Sequence, residues 1–181
     1  NVAVGYAALT ANTTGTENVA LGTEALKANT TAIHNTAIGY RALYTHVTGN
    51  DNTAVGQEAL YTNNGGTGNT AIGRRALQLN TTAISNTAVG EYALGANTTG
   101  NNNVAIGSTA LGANTTGTRN LAIGTNAYDA SDTENDNIAI GYDAMTTNTA
   151  GGTRNIAIGN YAMDAHTSGD YNVAIGYGAM G

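Results

Sequence analysis

An asparagine returns every 17 residues along this chain, and no other feature of the sequence limits the fold as tightly. It opens a unit at Asn1, Asn18, Asn35, Asn52, Asn69, Asn86, Asn103, Asn120 and Asn137. After one inserted residue at the Gly151–Gly152 pair the units resume at Asn155 and Asn172, so residues 1–181 read as a single solenoid of eleven units. With positions numbered as columns 1 to 17, column 3 is Ala, column 5 Gly and column 8 Ala in every unit, and column 4 is Val, Leu or Ile. Column 9 is Leu seven times and then Tyr128, Met145, Met163 and Met180. Columns 6, 7, 10 and 17 vary freely. Repetition inside one chain exposes the constraint: a fixed column serves a packing need common to every copy, and a free column faces water.

A period of 17 excludes much. Pentapeptide and hexapeptide solenoids advance in multiples that do not fit, and helical repeats of roughly 20–47 residues need amphipathic stretches with 3.6-residue spacing. Gly at column 5 and near column 15 cuts each unit into pieces too short for paired helices. Columns 1–5, as in "NTAIG", predict a short β-branched strand, and columns 7–10 predict a second one around Ala-Leu. The "ANTTGT" stretch, Ala11 to Thr16, predicts a turn. Two strands and two turns make one coil of an all-β parallel solenoid. Coils stacked about 4.8 Å apart give a rod of about 50 Å. They also place column 1 in an Asn ladder, each side-chain amide donating to the next, as in cross-β stacks. One coil cannot stand alone. Ordering its residues costs about 17–34 kcal/mol, whereas burying one Ile and one Leu returns about 3–6.

Alternate residues of a strand face opposite sides. Columns 3 and 5 are small on one side, and columns 2 and 4 are Val, Thr, Leu or Ile on the other. Both sides are restricted, which predicts one face against the coil interior and the other against another chain.

The "NVAIG" and "NTAIG" phrases followed by "xxAL" resemble the head repeats of trimeric autotransporter adhesins. They are still more similar to the "NTAIGxxAL…NTTG" arrays of phage tail-fibre and bacterial surface-fibre proteins. The resemblance covers the whole chain and rests on columns 1, 3, 4, 5 and 8; the unit is longer than the usual adhesin-head unit. It implies a left-handed β-roll, a homotrimer or other self-assembled fibre, and an extracellular, cell-surface or virion location. The chain is expected to be a shaft or head segment of a longer fibre, with binding specificity in flanking domains or in exposed tyrosines.

Composition narrows the function. A net charge of −6 with Lys27 as the only lysine argues against nucleic acid, since that affinity comes from cations neutralising phosphates. No apolar run reaches spanning length, so no membrane insertion is expected. With no Cys there is neither disulfide nor thiolate site. Ser85, Ser108, Ser131, Ser168, His34, His46 and His166 are scattered over variable columns and read as solvated turn residues. No enzyme and no cofactor are expected. The Gly65–Thr70 stretch "GGTGNT" lacks the lysine and helix of a phosphate loop and reads as a Gly-rich turn.

Four features remain as candidate sites. Asp129, Asp132, Glu134 and Asp136 gather carboxylates in "DASDTENDN", read as a solvated acidic turn with Ca²⁺ coordination as the alternative. Sequons at Asn12, Asn29, Asn80, Asn97 and Asn114 fall in turns expected to be exposed. Tyr6, Tyr40, Tyr142 and Tyr177 (column 6), Tyr92 and Tyr161 (column 7) and Tyr44 with Tyr61 (column 10) are expected on the outer surface, where rings can meet sugars or partners such as a cell-surface glycan or receptor. Threonines at columns 13 and 14 (Thr13, Thr14; Thr30, Thr31; Thr81, Thr82; Thr98, Thr99; Thr115, Thr116) form a regular array, interrupted at Val47, Asn64, Gly65, Asp132 and Ala150. That array carries the alternative reading of an ice-binding or glycan-binding solenoid.

Overall fold

The computed structural model describes residues 1–147, 152–165 and 168–181. The inserted residue at Gly151, the array break at Ala150, and His166 lie outside them. Among the described residues there are eleven strands of three residues each, from β1 (Val2–Val4) to β11 (Val173–Ile175), and no helix. The strands form one parallel sheet in sequence order, each inner strand paired with both neighbours and β1 and β11 with one. Register is column on column: Thr53, Ala54 and Val55 sit opposite Thr70, Ala71 and Ile72. The inserted residue leaves this register intact, with Ala157 paired to Ala139. The fold is therefore an all-β parallel solenoid, one coil per unit.

The predicted second strand is absent. Columns 6–11 are turns, because columns 7 and 9 both adopt left-handed backbone, as in Arg41 (φ 55°) with Leu43 (φ 50°) and Tyr92 (φ 56°) with Leu94 (φ 50°). Column 17 does the same at His34 and Arg119. Such conformations cost a non-glycine residue about 1–3 kcal/mol, and here they aim peptide N–H groups along the rod. The column-7 N–H of Arg41 reaches back to Thr23 O (3.0 Å), and the column-9 N–H of Leu43 reaches forward to Ala59 O (3.0 Å). Turns as well as strands thus form ladders between coils, and the alternation that looked like a strand is a curl.

The core is narrow. Column 3 from Ala20 onward, column 8 from Ala25 to Ala162, and column 9 from Leu26 to Met163 are almost completely buried. Column 5 is glycine for a steric reason. Gly56 has φ of +133°, and a Cβ there would lie 2.5 Å from the carbonyl oxygen of Gly73 in the next coil. Nothing larger fits between coils at that corner.

Two asparagine columns line the same interior. In column 1 the Asn35 carbonyl accepts the backbone N–H of Asn52 (3.0 Å), while its amide crosses its own coil to Gly49 O (3.0 Å). Side-chain rungs of the expected kind join column 1 only in places, as from Asn69 to Asn52 (3.2 Å). The more regular side-chain ladder is in column 12, where Asn80 donates to Asn63 (2.7 Å), Asn97 to Asn80 (3.1 Å) and Asn114 to Asn97 (2.9 Å). Each of these amides also reaches a column-15 carbonyl, such as Asn97 to Gly100 O (3.0 Å). Asn29, Asn63, Asn80, Asn97 and Asn114 are buried. The sequon residues Asn29, Asn80, Asn97 and Asn114 are accordingly not in exposed turns: the side chain that would carry a sugar is a structural rung.

Candidate functional site

The alternation of the strands sends column 3 inward and columns 2 and 4 outward. The inner alanines are covered by columns 8 and 9. The outer residues have nothing over them in the single chain. Leu21, Ile72, Ile106 and Ile158 are exposed, Ile106 by 40%, and Val19, Thr36, Ile38, Val55, Val104 and Ile123 are half-buried. The result is an apolar strip on one side of the sheet, continuous along column 4 and interrupted in column 2 by Thr36, Thr53, Thr70 and Thr87.

The tyrosines of columns 6, 7 and 10 lie outside, whereas Tyr128 of column 9 is fully buried. Tyr6 and Tyr177 are exposed by 78% and 80%, and Tyr40 and Tyr142 are also exposed. Tyr44 and Tyr61 are half-buried and stack face to face across adjacent coils, centroids 5.1 Å apart at 6°. That stacking uses one face of each ring. Arg41 lies over both Tyr40 and Tyr44, at 4.9 and 5.2 Å. Tyr142, Tyr161 and Tyr177 meet edge to face, at 5.5 and 5.7 Å.

Columns read as free are coupled between coils. Arg41 Nε pairs with Glu24 (2.7 Å) and Arg75 Nε with Glu58 (2.7 Å), all four in column 7. Arg74 pairs with Glu91 in column 6. In column 17, His34 bridges Glu17 (2.8 Å) and Asp51 (3.2 Å). Stacking puts each column above itself, so like charges in neighbouring coils would repel, and the chain alternates their sign instead. These positions face water, yet each is chosen against its neighbour.

The carboxylates of "DASDTENDN" do not converge. Asp136 is held by Arg119 through two hydrogen bonds (2.5 and 2.9 Å), which keep its carboxyl below the usual range. Asp132 accepts from Thr115. Glu134 is the correction to the solvated reading. It is only 6% exposed and accepts from Ser131 Oγ (3.0 Å) and the N–H groups of Asp132 (3.0 Å) and Thr133 (3.1 Å). Column 15 is Gly or Ala in the other described coils. Glu134 fits because column 12 of its own coil is the short Ser131 rather than Asn. Asp129, in column 10, is pushed up by burial and by the nearby Asp143. Among the described residues no three His, Asp or Glu side chains gather as a metal site.

His46 also departs from the solvated reading. It is fully buried in column 12 as a rung of the ladder. Its Nε2 lies 2.5 Å from Gly49 O, and its Nδ1 lies 3.1 Å from the Asn63 amide and 3.0 Å from Asn63 O. A neutral ring with hydrogen on Nε2 reproduces what Asn does there, donating to column 15 and accepting from the following coil. It has no second N–H for the preceding coil, so the Asn29 Oδ1 is left without a partner. Burial pulls the His46 pKa down. His34, Ser85, Ser108 and Ser168 are on the surface as expected, and Ser131 is buried.

The threonine array is partly consumed by the fold. Column-13 hydroxyls donate to the carbonyl of the next coil, Thr81 to Thr98 O (3.0 Å) and Thr98 to Thr115 O (3.0 Å). Thr82, Thr99 and Thr116 in column 14 are exposed. No protein-family model, curated protein or solved structure matches the chain.

Proposed function

We propose that the chain is a non-enzymatic segment of an extracellular fibre, the shaft or head of a phage tail fibre or bacterial surface adhesin, assembled from three copies. The observation that carries the reading is the uncovered apolar strip of columns 2 and 4. It runs the length of the sheet, about 50 Å by 7 Å at standard strand dimensions, comparable to the largest apolar patch of a typical monomer, which is often functional. Three copies laid strip to strip would bury it; the number three, the left-handed winding and the extracellular setting come from the resemblance of "NTAIGxxAL". Stiffness follows from the ladders, because every coil is bonded on both sides and adding coils adds length without adding joints. The hydroxyls of Thr81 and Thr98, spent on carbonyls of the next coil, speak for a structural use of the threonine array over an ice-facing one.

Sedimentation equilibrium tests this. The expected mass is three chains, each of 18.2 kDa, falling to one chain in Ile123→Asp with the β-rich circular dichroism spectrum retained. A single-chain mass for the unsubstituted protein at micromolar concentration overturns it.

A further inference from the structure

Column 10 holds a side chain in most coils, including Tyr44, Tyr61, Gln78 and Asp129, but is Gly95 and Gly112 in two consecutive coils. The two missing side chains open a notch of about 430 Å³ on the rod surface, bounded along the axis by Gln78 and Asp129. That volume lies within the range of small-molecule sites, about 300–1,000 Å³. Three coil spacings separate Gln78 from Asp129, about 14 Å at the usual rise, enough for one or two sugar rings.

The chemistry of the lining selects the ligand. Leu79, which is exposed, and Ala96 give an apolar wall. The polar groups are mostly acceptors. Thr109 spends its proton on Asn126 Oδ1 (2.5 Å) and Ser108 O (2.8 Å). Gln78 has one amide hydrogen held by Glu58 (3.1 Å), leaving its second N–H and its carbonyl oxygen. Asp129 supplies a carboxylate, and no Lys or Arg lines the notch. One face of Tyr92 is taken by Arg74 and Arg75, at 5.0 and 5.6 Å, so that ring closes the wall.

The geometry points to a saccharide-binding notch at Gly95–Gly112, taking a pyranose that donates hydroxyl or ammonium hydrogens to Asp129 and Gln78 and lays its C–H face on Leu79 and Ala96. A ligand rich in donors with one apolar face matches a site rich in acceptors with one apolar wall. Burial and the nearby Asp143 raise the Asp129 pKa against the backbone N–H groups of Asp129 and Ala130 that its carboxylate accepts from, and a bound donor adds to those two. The inference is independent of the fibre reading, because the notch is on columns 7–11 and the apolar strip on columns 2 and 4.

Saturation-transfer NMR on the intact protein, with neutral hexose oligosaccharides, hexosamine oligosaccharides and a lysine amide as separate probes, tests it. Transfer to at least one saccharide class is expected, the hexosamine arm showing whether Asp129 holds a hydroxyl pair or an ammonium. Ala96→Leu, a residue that Leu79 shows column 11 to accept, fills the notch and abolishes the signal. Asp129→Asn weakens binding about tenfold, as loss of a charged hydrogen bond implies, with the circular dichroism spectrum unchanged in both variants. No transfer to any saccharide, equal binding by Ala96→Leu, or transfer to the lysine amide alone overturns it.

Discussion

The two faces of one strand differ more than any two parts of this molecule. On the inner face Ala105 is fully buried, while on the outer face its neighbour Ile106 is 40% exposed. The smaller residue is inside and the larger outside, the reverse of an ordinary half-buried sheet. The inner face has no room for more than a methyl group, since two Asn columns and the column-9 leucines fill the coil. The outer face is apolar at column 4 in every coil and at column 2 in all but four, without anything in the single chain to cover it. The inside of each coil is thus closed by its own residues, while the outside is open in the single chain.

Aspartate on either face separates the two most sharply. Ala105→Asp puts an unpaired carboxylate among buried alanines and costs several kcal/mol, and loss of the cooperative unfolding transition near neutral pH is expected. Ile106→Asp, one residue along, leaves the coil folded and removes self-association. Equal unfolding by both substitutions, measured with urea, would break the distinction.

The next effect belongs to the inner side alone. Asn97→Ala removes the donor to Asn80 Oδ1 and to Gly100 O and the acceptor for Asn114, and costs about 1–3 kcal/mol for the buried groups left unpaired. Thr99→Ala, two residues away on the exposed side of the same turn, changes the urea midpoint little. Comparable shifts in the two variants would show that column 12 is not a ladder in solution.

These contrasts also mark what the sequence could disclose. The 17-residue recurrence fixes the stacking, and the Ala of column 3 fixes the strand and its register, because both follow from side-chain size repeated in place. The curl at columns 7–9 was hidden. Leu43 and Arg41 carry no local signal for left-handed backbone; their conformation is set by where the neighbouring coil offers carbonyls. Asn97 reads as a turn residue in "ANTTG" because isolated turns favour Asn for its own backbone bonds, and only stacking turns it inward. Glu134 is buried through its pairing with Ser131, a compensation that appears only once columns 12 and 15 are known to touch. The apolar strip was legible, since column 4 never becomes polar.

A smaller effect comes with pH. His46 is held neutral by burial, with its pKa lowered from the ordinary value near 6.5. The unfolded chain therefore takes up this proton at higher pH than the folded one. The stability that His46 contributes is complete above about pH 6.5 and declines as pH falls from there toward the lowered folded value. His46→Asn restores a donor for Asn29 Oδ1 and removes this part of the slope. Urea midpoints from pH 7 to pH 5 should fall less in the variant than in the parent; parallel curves would place His46 outside the buried ladder.

The most direct test of the central claim uses the absence of cysteine from the chain. In the single chain Ile106 on the outer strand face and Ile84 in column 16 are almost equally exposed, at 40% and 42%. Thiol-labelling rates of Ile106→Cys and Ile84→Cys, compared in the native protein at micromolar concentration, therefore report only what covers the strip from outside. The account predicts rapid labelling at position 84 and strong protection at position 106, lost when the protein is unfolded in urea. Equal native rates at the two positions would contradict it.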